Sequence, residues 1–475
     1  MTPTALLWFR RDLRVADHPA LTLAVREYER VIAVFVFDDV LLGGRFASCP
    51  RAAFMVGCLH ALDEALRERG CGLVVRRGRP ENELVALASD VGGVEAVLWT
   101  SDVAPYARSR DARVSAALRE AGIEARPQGG AYVVDVSRPR TQGGKPYTVF
   151  GPFHRSWLGM ERRTVHRTPA SLPALPSGLH KGRLPGTARF GADEHAAPLP
   201  EPHCEPGEPA ARAALARWLD GPVDAYEDSH DIVADERGTS GLSPYLRWGC
   251  VSAAECERRA ANRGGAGAAA WIRQLAWRDF FAHVLLAHPD NARQEFQPRY
   301  RDLEWVRDED ALEAWRAGAT GYPLVDAGMR QLARTGWMHN RARLVVGSFL
   351  TKDLHLDWRL GEAHFEGLLL DGEPAQNNGN WQWVTSVGVD PAPYFRRIFN
   401  PMLQQRKFDP DGVYVRRWVP ELRDVPLGRL VEPWTMSGEE QEAAGCVIGR
   451  DYPAPIVEHA QERRRAVQRY QAVAG

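Results

Sequence analysis

Over its first 130 residues the chain alternates short apolar runs with amphipathic stretches, and this rhythm restricts the possible fold more than any other feature. The runs Ala5–Phe9, Val31–Phe37, Gly72–Val75 and Ala96–Thr100, with a weaker one at Glu124–Arg126, predict strands. Between them, helical patterns fall at about 18–29, 51–69, 80–91 and 107–121. Strands and helices in strict alternation predict an α/β unit, a Rossmann-like doubly wound parallel sheet covered on both faces. Such sheets bind ligands at the carboxyl ends of their strands. The segment Arg10-Arg11-Asp12-Leu13-Arg14 after the first strand is therefore a candidate site or domain contact. No GxGxxG follows that strand, which argues against an ordinary NAD-binding unit.

From about 131 to 205 Pro and Gly become dense (TPASLPALPSGLHKGRLPG), and long periodic segments vanish. This stretch reads as a connector lying on the surface. Beyond 206 the pattern is helical, with few β-branched runs and no internal repeat. The expected organisation is an α/β unit over 1–130, a Pro/Gly-rich connector over 131–205 and an all-α unit over 206–475.

The formal net charge is −1, so any polyanionic partner must meet a local basic patch. Lysine occurs only at Lys145, Lys181, Lys352 and Lys407; the other cations are arginine, which suits bidentate phosphate contacts or simply reflects GC-rich codons. The seven cysteines (49, 58, 71, 204, 250, 256 and 446) form no CxxC pair and no zinc-type spacing with His, so no metal site is expected. No signal-type segment precedes the first strand, and no apolar run of about 18 residues occurs. A cytoplasmic, monomeric protein without a membrane segment is the expectation.

Three helical-unit segments carry unusual polarity. Gln376–Trp383, QNNGNWQW, follows neither a helix period nor a strand alternation. Buried amides and indoles need partners, so the run is either the wall of a site for a planar polar ligand or a polar turn with two packed indoles. In Trp271–His283, the residues Gln274, Trp277, Arg278 and Phe281 share one helical face. After Thr335-Gly336, one side of a further helix carries Trp337, Asn340, Arg341 and Leu344, with Arg343 three residues beyond Asn340. An arginine so placed requires an anionic partner, for which Asp371 and Glu373 are candidates.

Together these residues resemble the DNA photolyase/cryptochrome family, most closely its class I cyclobutane pyrimidine dimer photolyases. The carriers are LLWFRRDLRVADHPAL at the start, Thr239-Ser240-Gly241-Leu242-Ser243-Pro244, WRDFF (277–281), TGYPLVDAGMRQL (320–332), TGWMHNRAR (335–343) and NNGNWQW (377–383). The resemblance spans almost the whole chain and implies an N-terminal antenna domain and a C-terminal helical domain that holds FAD. By motif position, Tyr226, Thr239, Ser240, Gly241, Leu242 and Ser243 would hold its phosphates and ribose. Trp271, Arg278, Asn340, Arg343, Asp371, Gly372 and Glu373 would line it, with Arg343 and Asp371 paired beside the isoalloxazine and Asn377 facing N5. Trp381, Trp358 and Trp305 align with the family's electron-transfer chain.

The implied chemistry is light-driven transfer of one electron from reduced FAD to a pyrimidine dimer in UV-damaged DNA, single- or double-stranded, with return of the electron after the ring splits. The dimer must leave the stack to reach the flavin, and photolyases as a class extrude their target in this way. Trp277 and Trp383 would sandwich it, Gln274 and Asn340 would hydrogen-bond its edges, and Arg278, Arg341, Arg396, Arg397, Gln404 and Lys407 would meet the DNA strand. Four departures stand out. Gln274 occupies a place where dimer-specific members have glutamate and the (6-4) branch often has glutamine; Leu344 replaces a frequent methionine; Glu373 replaces a frequent aspartate; and Ser229-His230 stands in the Tyr226–Gly238 stretch where an arginine is usual. Asn340 stands where the (6-4) branch has a catalytic histidine, and His339 is one residue away. Arg51–Leu59 and Asp102–Tyr106 resemble relatives with an 8-hydroxy-5-deazaflavin antenna, although Ala104 replaces a carboxylate; Tyr106 and Ala107 suit a folate poorly, and an empty antenna site is the other option. The alternatives to dimer repair are (6-4) repair, a cryptochrome-like blue-light photoreceptor and a light-independent nucleotide-binding protein.

Overall fold

The computed structural model describes residues 2–44, 47–186, 201–390 and 393–474. Five parallel strands, β1 (Thr4–Phe9), β2 (Arg30–Phe37), β3 (Val74–Arg77), β4 (Val94–Thr100) and β5 (Glu124–Gln128), form one sheet in the order β3-β2-β1-β4-β5. All six residues of β1 are buried, as expected for a central strand covered on both faces. Pro127 is tolerated in β5 because that strand lies at the sheet edge. Helices α1 (Pro19–Glu27), α2 (Asp39–Gly43), α3 (Cys49–Arg67), α4 (Pro80–Val91) and α5 (Pro105–Glu120) complete this unit. Four begin with proline at or next to their first residue, where the missing N–H costs nothing. The five-residue α2 is too short to show a period and has no counterpart among the sequence expectations.

The surface-connector expectation needs correction. Helix α6 (Phe150–Leu158) lies within it, and Val133, Val134, Phe150, Phe153 and Trp157 are buried in the same core as the sheet and the helical unit. Asp279, in the helical unit, accepts from the Val133 and Val134 N–H groups and from the Trp157 indole. The apolar run Ala131-Tyr132-Val133-Val134 and the nine-residue α6 are too short and too far apart to set up a period. Residues 187–200 lie outside the described residues.

The remainder is helical as expected: α7 (Glu208–Leu219), α8 (Tyr226–Ser229), α9 (Ser243–Trp248), α10 (Ala253–Arg263), α11 (Ala266–Ala287), α12 (Glu309–Ala317), α13 (Pro323–Thr335), α14 (Asn340–Ser348), α15 (Trp358–Leu368) and α16 (Pro374–Thr385), followed by shorter segments and a last helix, His459–Ala474. QNNGNWQW is thus not a turn but the body of α16. A Cβ on its Gly379 would stand 2.2 Å from the Phe281 ring, so this glycine sets the close approach of α16 to the central α11.

The Arg10–Arg14 segment is a domain contact. Arg11 bonds Asp102 at 2.9 Å in its own unit and Glu373 at 2.5 Å in the helical unit. Leu13 N–H donates to the Trp248 carbonyl, Arg14 to that of Gly249, and Glu208 accepts from the Val15 and Ala16 N–H groups. Burial alone would raise the Glu373 pKa, but Arg11, Arg278 and Arg247 outweigh it and hold the carboxyl down to about 2. A carboxylate depressed in the folded state contributes stability that is present above its unfolded pKa and is lost as pH falls toward the folded one. Thermal unfolding from pH 5 to pH 2 should therefore show a falling Tm. Glu373→Gln should lower Tm at neutral pH, by about 3–5 kcal/mol of stability for breaking a buried pair, and should flatten the acid slope.

Candidate active site

Three of the residues expected to surround the flavin, Ser243, Arg343 and Asp371, meet at the start of α9. Ser243 donates to Asp371 at 2.6 Å and accepts from the Trp337 indole at 3.3 Å. Asp371 also receives both guanidinium nitrogens of Arg343, at 2.8 and 3.1 Å, while Arg343 Nε donates to the Met338 carbonyl. The expected Arg343–Asp371 pair therefore exists and is tied to the TSGLS segment. Gly241 takes φ +62°, a left-handed turn natural to glycine.

Beside this network a cavity of about 800 Å³ is lined by Trp218, Thr239, Ser240, Gly241, Trp337, His339 and Tyr414, among others. His339 Nδ1 accepts from the Arg341 N–H, which puts the neutral ring's proton on Nε2. Burial, followed by the charges of Arg343 and Arg341 and opposed by Asp231, holds the His339 pKa down to about 4. His339 Nε2 and Trp218 Nε1 are both buried N–H groups with no acceptor among the described residues. These two unpaired donors, beside the Thr239 and Ser240 hydroxyls, fit a ligand rich in phosphate and ribose oxygens, as FAD is. Tyr226 and Trp271 pack around the same Trp218 ring, at centroid distances of 5.5 and 6.1 Å. Neither Trp218 nor His339 was chosen from sequence, because a lone indole and a lone imidazole on helical faces ordinarily signal packing.

On α16 every amide has a defined partner. Asn377 Nδ2 donates to the Glu362 carbonyl at 2.9 Å and to Glu366 at 3.2 Å, and Asn377 Oδ1 has no partner among the described residues. Gln382 donates to the Asn291 and Gln294 carbonyls and accepts from the Phe296 N–H. Trp381 lies against Phe365 and Trp315, at centroid distances of 5.0 and 6.2 Å. A Cβ on Gly361 would stand 2.2 Å from the Trp381 ring, so the indole rests on the backbone of α15 one turn from Trp358. Trp358 is fully buried and bonded to Glu295 at 3.1 Å, and Trp305 is partly exposed.

The expected DNA face is mixed. Gln274 and Asn340 are exposed, with no hydrogen bond to their side chains among the described residues. Arg396 and Lys407 are also exposed, and Gln404 is half-buried. Trp277 is partly covered, because Phe150 stacks on one face at 3.7 Å. Trp383 has Arg397 over its ring at 3.9 Å, and its indole donates to Asp390. Two phosphate contacts are corrected here. Arg397 is buried between Asp390 and the Trp383 carbonyl, and Arg278 is buried against the Ala131 and Leu246 carbonyls with Glu373 at 3.6 Å. Both guanidiniums face protein acceptors, which sequence position alone could not reveal. Arg341 is paired with Asp231 at 2.5 Å and stays partly exposed. Glu373, expected beside the flavin, is engaged by Arg11 and by the Tyr132 hydroxyl.

A second cavity, of about 1220 Å³, opens at the carboxyl ends of β1, β2 and β4, beside the switch point of the strand order. Its walls include Trp8, Asp38, Arg51, Asp102 and Tyr106 of the sheet unit and Arg247, Trp248 and Glu366 of the helical unit. Arg247 Nη1 and Trp248 Nε1 are buried there without acceptors among the described residues. Burial, with Arg11 and Arg51 nearby, pushes the Arg247 guanidinium down to about 9. Among the described residues no helix is long and apolar enough to cross a membrane, and no group of three or more His, Cys, Asp or Glu is placed to hold a metal ion.

The profile described as DNA photolyase matches residues 5–175, and that described as FAD binding domain of DNA photolyase matches 271–472. A deoxyribodipyrimidine photo-lyase of Streptomyces griseus is 41% identical, over 97% of this chain and 98% of its own length. The chain belongs to the DNA photolyase/cryptochrome family. Among solved photolyase-family structures, a bacterial class III photolyase from Agrobacterium tumefaciens superposes with a TM-score of 0.92 at 34% identity, covering 100% of this chain and 98% of that one. A Synechocystis cryptochrome gives 0.89 at 28% identity, covering 98% and 99%. A photolyase from Sulfolobus tokodaii, described as holding two FAD molecules, gives 0.84 at 31% identity, covering 99% and 100%.

Replacing Gly361 by valine forces Trp381 off α15. Overpacking of this kind costs about 1–3 kcal/mol, read as a lower Tm and a red-shifted tryptophan emission.

Proposed function

We propose that this enzyme is a light-driven deoxyribodipyrimidine photo-lyase that repairs cyclobutane pyrimidine dimers in UV-damaged DNA. The observation that carries the reading is the amide of Asn377. Both of its hydrogens are donated to the Glu362 carbonyl and Glu366, and its oxygen has no partner among the described residues. An unpaired acceptor suits a protonated flavin N5, as in the reduced cofactor that repair requires. Bound FAD supplies the light absorption and the electron lent to the lesion. Tyr226 and Thr239–Ser243 hold its phosphates and ribose, joined by the donors of Trp218 and His339. Trp271, Arg343 and Asp371 bound the isoalloxazine, with Gly372 in the same turn. Gln274 and Asn340 offer free amides to the pyrimidine edges, and the uncovered faces of Trp277 and Trp383 stack on the extruded dimer. Arg341, Arg396, Gln404 and Lys407 meet the strand's phosphates, while Arg397 orients Trp383. Trp381, Trp358 and Trp305 refill the cofactor with electrons when it is oxidised.

The second cavity takes the antenna, for which 8-hydroxy-5-deazaflavin is our choice. Its oxygens match the unpaired donors of Arg247 and Trp248. The antenna site lies between the 1–130 and 206–475 units, and the 206–475 unit carries the flavin. A (6-4) activity is the one competing reading with a specific residue behind it, the Gln274 amide.

Reduced, FAD-loaded protein should be illuminated with oligonucleotides that carry either a cyclobutane dimer or a (6-4) product, and the recovery of monomer absorbance followed. Light-dependent recovery on the dimer alone is expected. Recovery on the (6-4) product alone would show Gln274 to be the deciding residue, and no recovery on either would end the enzyme reading. Trp358→Phe should slow photoreduction of oxidised cofactor at least tenfold yet leave repair by pre-reduced protein within about twofold. Binding to dimer-containing DNA should weaken steeply between low and physiological salt, and a flat profile would argue against the phosphate contacts.

A further inference from the structure

The flavin-facing amide is held from the other domain. Asn377 donates one hydrogen to the Glu362 carbonyl at 2.9 Å and the other to Glu366 Oε2 at 3.2 Å. The second oxygen of Glu366 receives Arg51 Nη2 at 3.0 Å, and Arg51 also donates to the Glu366 and Leu369 carbonyls. Arg51 belongs to α3 of the sheet unit, Glu366 to α15 and Asn377 to α16, and all three residues are buried.

We propose that Glu366, anchored by Arg51, is a positioning residue that fixes which end of the Asn377 amide faces flavin N5. The proposal rests on the reading that Asn377 meets N5. A guanidinium only donates and a carboxylate only accepts. Arg51 meets one carboxylate oxygen of Glu366, and the other, able only to accept, receives the N–H that Asn377 supplies. That turns Oδ1 to the remaining side. A reduced isoalloxazine carries a hydrogen on N5 and the oxidised ring does not, so an oxygen there favours the reduced cofactor. In this relay the bond from Asn377 to Glu366 biases the cofactor's redox balance through a residue one step removed from N5, and Arg51 holds that residue in place.

Glu366→Gln is nearly isosteric and reverses the relay. Arg51 still demands an acceptor, so the new amide gives it the oxygen and presents NH₂ to Asn377. Asn377 is then driven to accept through Oδ1 and to turn Nδ2 outward, losing its bond to Glu362. The test is the midpoint potential of bound FAD, measured by spectroelectrochemistry on the full-length holoprotein. Glu366→Gln should lower the preference for reduced over oxidised FAD about tenfold, which is about 30 mV downward for a two-electron couple. Arg51→Met should lower Tm but leave the potential within twofold of the parent, because Glu366 can still only accept. The double variant Arg51→Met with Glu366→Gln should recover the parent potential, since the glutamine is then free to turn its oxygen to Asn377.

A clamp with only a structural role predicts a different order, in which Arg51→Met is as disruptive as Glu366→Gln and the double variant is worse than either. That order overturns the proposal, as does an unshifted potential in Glu366→Gln. If Glu366→Gln retains no FAD, the comparison of Arg51→Met with the double variant still decides, and unequal potentials overturn the proposal. Asn377→Ala separates the two levels. A shift there with none in Glu366→Gln removes the relay and leaves Asn377 at N5, whereas no shift in either removes both.

Discussion

The arrangement of this molecule depends on a line of buried guanidinium–carboxylate contacts between its two units. Arg11 reaches across from the end of β1 to Glu373, and Arg51 reaches from α3 to Glu366. Removing either partner would strand a charge away from water, a far larger cost than an exposed ion pair would impose. The two units are therefore obliged to close on each other in one register. Glu373, whose carboxyl is held low by the guanidiniums around it, is a group through which acid loosens this seam. The prevalence of arginine over lysine has a structural expression here, whatever its origin in codon usage.

Helix α16 translates that seam into a site. Three of its amides reach neighbouring elements: Gln376 on the Arg278 carbonyl, Asn378 on Glu362, Gln382 on the loop after α11. A buried polar network of this kind fixes one geometry when it is fully satisfied. The glycine in its middle and the glycine in α15 bring backbones close enough for the indoles and amides to meet their partners. Asn377 and Trp381 stand one turn apart on this helix, so both side chains are held by one rigid support.

Much of the fold was legible because the central strands are buried on both faces and write themselves as unbroken apolar runs. The edge strand β3 begins two residues later than expected, since its second half, Arg76 and Arg77, is charged and partly exposed. What misled was polarity in buried places. Helix α16 has polar side chains facing its neighbours and so shows no amphipathic period, and the 131–160 stretch enters the core through one short apolar run and one nine-residue helix. At the candidate site, Arg343 with Asp371 followed from motif order. The roles of Arg278 and Arg397 did not, because a sequence cannot say whether a guanidinium turns toward solvent or toward a carbonyl. Trp218, His339, Phe150 and Glu366 had no pattern at all. They are recognisable only by what three-dimensional packing leaves them bonded to, or leaves unpaired.

The larger cavity lies on the seam, with Arg51 and Asp102 on one side and Arg247, Trp248 and Glu366 on the other. A molecule seated there is gripped by both units at once and by neither alone. By mass action its presence adds RT ln(1 + [L]/Kd) to the work of prising them apart. Resistance to heat and to proteolysis would then depend on how well the cell supplies that molecule, and an antenna would double as mortar.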